Sequence, residues 1–367
     1  MSPWGSIKNH ARIGCALLCV SCTEAEPVRA PPAPPRIDWS SVTQDVTTDV
    51  LARARNGRLA RADGYTYTVD IAQLMSAAAR LGDPALYDAL LPHAQAARVD
   101  ANKNPYVRGF VAWRVHPEQP RDATGTTEAL RLAEAFWLGA SRFDREEHRT
   151  IALELVDGYR RHGYVDQGVW LIRNYYNLQT DAFATNSFLV DYDADFLRAL
   201  GDQFPELRAL ATRVDTLIAA AITPTGLVHE LVQPEIATAM PYLGSAVFSP
   251  NNRAQLSNSC TVLERALVTH REDARRLFDF AHAQADSLRL IYDVSTGEPH
   301  PHGYAGVETY GCLTRLAHAL EIPDRARVFE PKLDWFVRDY LKGNAKPASF
   351  IASELLLTAA AVLESHD

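Results

Sequence analysis

The sequence predicts an all-α fold, an (α/α)6 toroid of about twelve helices paired as hairpins, with short β-hairpin loops at one rim. Three observations predict it. About twelve stretches with helical apolar spacing follow one another from residue 37 onward. They alternate between charge-studded and almost wholly apolar. Short β-branched and aromatic stretches precede several of the apolar ones.

The helical stretches are delimited by breakers. The first spans Ser41 to Arg55 and stops at Asn56-Gly57. The second spans Thr68 to Leu81 and stops at Gly82-Asp83-Pro84. Ala85 to Arg98, Thr126 to Ala140 and Arg145 to His162 follow. Then come Ser187 to Leu200, Glu206 to Ala221, Leu256 to Thr269 and Asp273 to Leu290. Val307 to Leu320, Asp324 to Leu341 and Ala348 to Leu363 complete the set. Odd members carry runs such as Arg145-Glu146-Glu147-His148-Arg149. Even members read like Ile71-Ala72-Gln73-Leu74-Met75-Ser76-Ala77 or Leu355-Leu356-Leu357-Thr358-Ala359. A helix that is apolar on most sides requires burial all round. Two concentric rings with the apolar set inside meet that requirement. Thr127 to Ala135 resembles Gly311 to Ala319, a weak repeat suited to stacked hairpins. Tyr106 to Val115, Gly168 to Arg173 and Gly226 to Leu231 read as strands, each before an even helix.

The chain of 367 residues is 47% hydrophobic and 22% charged, with a net charge of −8. No Lys/Arg cluster forms a nucleic-acid footprint, so a nucleic-acid partner is not expected. No phosphate loop, dinucleotide fingerprint or Ser-centred elbow occurs, and no cofactor is expected.

The first segment reads as an address. Lys8 and Arg12 precede the apolar run Ile13 to Val20, which is too short to span a bilayer. The sequence Leu18-Cys19-Val20-Ser21-Cys22 resembles a lipoprotein signal with Cys22 as the lipidated residue, Cys19 standing where Leu is usual. Residues 1–22 are therefore expected to be a signal, 23–37 a Pro-rich tether and 38–367 the ring. The expected protein is monomeric and exported to the periplasm or cell surface, on a lipid anchor where Cys22 is modified. Cys260 and Cys312 remain in the body. Two buried free thiols are the default expectation, and a bridge is the alternative because both sit near the starts of adjacent inner helices.

Local motifs add a resemblance. Phe110-Val111-Ala112-Trp113-Arg114-Val115, followed by Asp122-Ala123-Thr124 and an Ala/Leu-rich helix, resembles the "AWRV" strand and "ATD" helix of glycoside hydrolase family eight. Asn186-Ser187-Phe188 resembles that family's "NPSY" segment. The resemblance implies a six-hairpin glycosidase acting on carbohydrate. The chain departs from the family at its carboxylates. Asp70 in Thr68-Val69-Asp70-Ile71 is nearest to the family's "SEGQ" acid. Thr124-Gly125-Thr126-Thr127-Glu128 replaces the next Asp pair, and Tyr310-Gly311-Cys312-Leu313-Thr314-Arg315 lacks the Asp of "YDAIR".

The N-terminal ends of the inner helices meet at one mouth, so polar residues there are the candidates. Glycoside hydrolysis needs one protonated and one ionised carboxyl on opposite sides of the scissile bond. Glu128, a carboxylate among Ala and Leu at a helix start, is the first choice, paired with Asp70 or Asp191. Glu128 and Asp70 also fit the simpler role of complementing a helix dipole. Asp191 and Asp195, four apart on the sixth helix, are expected to share a face. Trp113, Tyr67, Asp122, Tyr176, Asn258, Glu308 and Tyr310 are candidate substrate contacts. Tyr65, Trp170, Tyr175 and Tyr304 add aromatic surface near the rim. His300 and His302 supply two metal-ligand types without a third, and no metal site is expected.

The reading is a hydrolase of poly- or oligosaccharide. One alternative is a polysaccharide lyase on the same ring, with Tyr310 or His229 as base and Arg173 or Arg315 holding a uronate. Another is a non-catalytic binder of glycan or peptide.

Overall fold

A computed structural model describes residues 36–102, 104–166, 169–233, 238–240 and 253–365, with backbone alone at 165–166, 169–170, 233 and 238–240. The proposed signal, Cys22 and all but the end of the tether lie outside the described residues, as does the side chain of Trp170.

Among the described residues, six helical hairpins close into a ring. Helices α1 (Trp39–Arg55), α3 (Pro84–Ala97), α5 (Glu146–Arg160), α7 (Pro205–Ala221), α9 (Leu267–Ala283) and the pair α11 (Pro323–Ala326) and α12 (Glu330–Leu341) form the outer wall. Helices α2 (Thr68–Leu81), α4 (Thr126–Phe143), α6 (Ala194–Ala199), α8 (Leu256–Glu264), α10 (Val307–Ala319) and α13 (Ala348–Glu364) form the inner one. Helix α2 packs between α13 and α4, and α10 packs between α13 and α8. The turn at Leu189–Asp191 joins α4 to α8, which closes the circle.

Sequence pattern decides which ring each helix enters. The buried residues of α1 are Trp39, Val42, Val46, Val50 and Ala54, a single stripe facing inward. Eleven of the fourteen residues of α2 are buried, which only an enclosed helix satisfies. Gly82 ends α2 in the left-handed region (φ 68°), and Asp83 caps α3 by accepting the Leu86 N–H at 2.9 Å. Gly109 and Gly158 allow the loop before α4 to lie directly on α5. A Cβ on Gly109 would sit 2.2 Å from the Glu154 carbonyl oxygen.

The ring axis is polar. Arg315 of α10 donates to Glu264 of α8 at 2.8 and 3.2 Å and to Glu354 of α13 at 3.1 Å. Gln73 of α2 donates to Glu354 at 2.8 Å and accepts from Ser353 at 2.9 Å. Four inner helices are thereby tied across an axial cavity of about 300 Å³.

Three expectations are corrected. The sixth helix is confined to Ala194–Ala199. Ser187–Phe188 instead pairs as a strand with Leu231–Val232, and Leu189–Asp191 forms a 3-10 turn. Asp side chains compete with helical backbone bonding. Asp191 accepts the Phe188 N–H at 2.8 Å, and Asp193 caps α6 by accepting the Phe196 N–H at 2.9 Å. Asp191 and Asp195 therefore share no helix face; Asp195 pairs with Arg198 at 2.7 Å. The stretch from Tyr106 to Val115 is mainly irregular. Only Arg114–Val115 is a strand, pairing with Thr66–Tyr67. Cys260 and Cys312 are bonded to each other, their Cα atoms 6.2 Å apart, and are not free thiols. The geometric cause is that α8 and α10 pack side by side.

Candidate active site

At the N-terminal end of α4 a pocket of about 490 Å³ opens between the helix start and two loops. Thr124 is the hub of its floor. Its N–H donates to the Tyr176 carbonyl at 2.9 Å, and its hydroxyl accepts the Tyr176 N–H at 2.8 Å. Its hydroxyl also lies 2.9 Å from His162 Nε2. Thr126 donates through both its N–H and its hydroxyl to the Asn174 carbonyl. The strip 122–126 is thus zipped to 174–178, and the side chains of Trp113, Asp122, Thr127, Glu128, Tyr175 and Asp191 face one hollow.

Glu128 stands in the first turn of α4, after Gly125. Its carboxyl folds back over Gly125, where a Cβ would lie 1.9 Å from Oε2. The glycine leaves the room that the carboxyl occupies and is not needed for its backbone, since its φ of −137° suits any residue. Burial pushes the Glu128 carboxyl up to about 7; its own backbone N–H opposes the shift and the neighbouring Asp191 charge adds to it.

Asp191 is 2% exposed and differently served. The Thr127 hydroxyl, the Phe188 N–H at 2.8 Å and the Ser187 hydroxyl at 3.4 Å all donate to it. Burial pushes its carboxyl up to about 6, against donors that favour the ionised form. Two carboxyls thus share a pocket in unequal surroundings, the arrangement that separates an acid from a base.

Asp122 accepts the Trp113 indole N–H at 2.7 Å, an Arg114 N–H at 2.9 Å and the Ala123 N–H at 2.8 Å. Burial pushes this carboxyl up, but those donors outweigh it and hold it below its ordinary range. It fixes the Trp113 ring, which Arg114 also flanks at 4.2 Å.

The remaining candidates fall outside this pocket. Asp70 is buried and held by Arg61 through two bonds of 2.9 and 2.6 Å, while burial pushes its carboxyl up. Arg61 also lies 3.9 Å over the Tyr67 ring, and the Tyr67 hydroxyl donates to Asp63. Tyr67 meets Trp113 edge-on at 5.6 Å, behind the pocket wall. Tyr176 is 5% exposed in a small cluster with Val107 and Phe110, and its hydroxyl donates to Asp181. The rim aromatic facing the hollow is its neighbour Tyr175. Glu308 lines the axial cavity, its carboxyl folded over Gly306 and pushed up by burial. Tyr310 faces a separate hollow beside α12.

Asn258 donates to Glu230 at 2.9 Å, and the Gln255 N–H donates to the same carboxylate. Burial pushes Glu230 up to about 7. Sequence reasoning missed this acid, whose one signal is its place in the apolar run Gly226-Leu227-Val228-His229-Glu230-Leu231. It also missed Arg61, the cation that occupies Asp70. Of the residues considered for lyase chemistry, Arg315 is engaged by Glu264 and Glu354, and Arg173 stacks on Tyr164 and Phe183 at 4.8 and 4.7 Å.

No protein-family profile and no curated protein sequence matches this chain. Solved structures do. An α-amylase from Clostridium perfringens matches with a TM-score of 0.68 at 12% identity, over 81% of this chain and 87% of its own. The endo-β-1,4-glucanase CMCax from Acetobacter xylinum matches with a TM-score of 0.63 at 17% identity, over 88% and 99%. A GH8 xylobiose complex from Teredinibacter turnerae matches with a TM-score of 0.62 at 12% identity, over 90% and 97%. The fold of this chain is the (α/α)6 ring of these glycosidases, family eight among them.

Proposed function

We propose that this chain hydrolyses a glycosidic bond in a poly- or oligosaccharide, with Glu128 as the proton donor and Asp191 as its ionised partner. The observation that carries the reading is the unequal provision of hydrogen bonds in one pocket. Glu128 has only its own backbone N–H as a donor among the described residues, and burial keeps its proton on near neutral pH. Asp191 accepts from three neighbours, which favours the charge. Glu128 would protonate the departing glycosidic oxygen. Asp191 would act on the developing positive charge, or on the water that attacks it. The Trp113 ring, held by Asp122, offers an apolar face for a sugar. The fold shared with an amylase, a glucanase and a GH8 xylobiose complex supports the carbohydrate class.

The test is release of reducing ends from starch, mixed-linkage β-glucan and xylan by the purified chain. Glu128→Gln and Asp191→Asn should each lower kcat by roughly 10²–10⁴-fold with substrate binding retained. Cleavage at the unmodified rate by either variant refutes the assignment. A product absorbing as an unsaturated uronate would identify a lyase instead. Retention on glycan without any cleavage would identify a binding protein.

Export and anchoring through Cys22 belong to the same proposal. Cys22→Ser should move the protein from the membrane fraction to the soluble one.

A further inference from the structure

A second hollow, of about 560 Å³, lies between the loop after α9, the loop before α10 and the first turns of α12. It shares no lining residue with the Glu128 pocket. Two large aromatic side chains border it in the open: Tyr304 is 75% exposed and Trp335 is 54% exposed. Both are costly to leave in water, and Tyr304 lies in a loop that could have carried any polar residue. Trp335 is braced edge-on by Phe336 at 4.8 Å. Tyr304 is flanked by the Arg289 guanidinium at 4.7 Å and is bridged through its backbone to Arg289. Each ring is therefore in contact with a neighbouring side chain.

Two of the cations lining the hollow lack a carboxylate partner among the described residues. Arg338 is paired with Asp334, but neither Arg289 nor Lys332 has a carboxylate within 4.0 Å among the described residues. Among the described residues Asp286 is the one acid lining the hollow, against Arg289, Lys332 and Arg338. On a chain of net charge −8, a local cationic aromatic hollow runs against the general surface. Exposed rings match the apolar face of a pyranose, and the Arg289 guanidinium and Lys332 ammonium, without a carboxylate partner among the described residues, match carboxylates carried on it.

We infer that this hollow is a binding site for an acidic, uronate-type oligosaccharide, separate from the Glu128 pocket. Trp335 and Tyr304 provide the stacking faces, and Arg289 and Lys332 pair with sugar carboxylates. The inference rests on the carbohydrate reading above for its ligand class only. Cleavage is not required, so a chain lacking catalytic activity would still bind here. A site of this kind would hold a charged polymer on the enzyme while the Glu128 pocket works on another stretch of it.

Titration calorimetry with an oligogalacturonate, and with a neutral cello-oligosaccharide as control, tests the inference on the full chain at low ionic strength. The unmodified protein and Glu128→Gln should bind the oligogalacturonate with equal affinity, and added salt should weaken that binding. Trp335→Ala and Lys332→Ala should each weaken it roughly ten-fold or more, the scale of one charge-assisted contact. Lys332 is exposed, so its removal leaves the fold intact and keeps the test valid should Trp335→Ala misfold. Absence of oligogalacturonate binding overturns the inference, as does unchanged affinity in Lys332→Ala. Loss of binding in Glu128→Gln overturns it as well, because the ligand would then occupy the other pocket. Hydrolysis assays on Glu128→Gln judge the catalytic proposal separately, since they do not depend on Trp335 or Lys332.

Discussion

Replacing Arg315 with methionine leaves two carboxylates stranded inside the ring. Arg315 gives Nε and Nη2 to Glu264 and Nη1 to Glu354, and its side chain is 9% exposed. Without it Glu354, 5% exposed, keeps the Gln73 amide, and Glu264 loses its ion pair. Methionine fills most of the volume, so the loss is mainly electrostatic. Breaking one side of a buried ion pair costs about 3–5 kcal/mol, and this side serves two partners. Urea unfolding followed by far-UV circular dichroism measures the deficit. Its pH dependence separates this cause from lost packing. Burial pushes Glu264 up, but Arg315 outweighs that and holds the carboxyl below its ordinary range. A lowered folded-state value contributes stability at neutral pH that is lost as pH falls through the carboxylate range. In the variant only Arg265 and Arg80 still oppose the burial of Glu264, so its carboxyl moves up, mild acid protonates it and the deficit shrinks. A deficit under about 1 kcal/mol at neutral pH, or one of equal size in mild acid and mild alkali, refutes the reasoning.

The proposed hydrolysis should follow a bell-shaped pH profile, with an acid limb near the Asp191 value of about 6 and an alkaline limb near the Glu128 value of about 7. A profile flat across that interval contradicts the pairing. Glu128 carries a raised value in the folded state, so its contribution to stability is lost as pH rises through about 7. Glu128→Gln should therefore stabilise the fold in mild alkali by on the order of 3 kcal/mol, read as a shift in the urea midpoint. Gly125→Ala places a Cβ where the Glu128 carboxyl lies, so the flexible side chain moves aside. Activity should fall while the circular dichroism spectrum stays unchanged; full activity would mean that the folded-back position is irrelevant. Reducing the Cys260–Cys312 bond, which spans 52 residues, should cost about 4 kcal/mol by chain entropy, measured as the difference in unfolding free energy with and without reductant.

The ring was legible because its physical requirement is written in single residues. Eleven buried positions in α2 demand enclosure, and the one-sided stripe of α1 demands a partner on one face only. Breakers such as Gly82-Asp83-Pro84 set the ends well. The sixth inner helix was overestimated because its apolar spacing is real while Asp191 and Asp193 spend their carboxylates on local backbone N–H groups. Glu128 drew attention by its place at a helix start, and the structure sets it beside Asp191 in one pocket. That it faces Asp191 while Asp70 does not was invisible, because the Arg61 that occupies Asp70 lies nine residues away in a loop without periodicity. Glu230 and the Trp335 hollow were equally hidden, since each is assembled from separate hairpins.

The sequence by itself determined which helices are inside, where they stop and that their N-terminal ends carry acids. Those properties depend on spacing along one helix, over which side-chain direction is fixed by the 3.6-residue turn. Only the tertiary structure decided which acid meets which donor, that two cysteines touch and that Arg315 joins two carboxylates across the axis. Those outcomes depend on the angular order of six hairpins around a closed circle, and a shift of a few ångströms between neighbouring helices changes every such partnership.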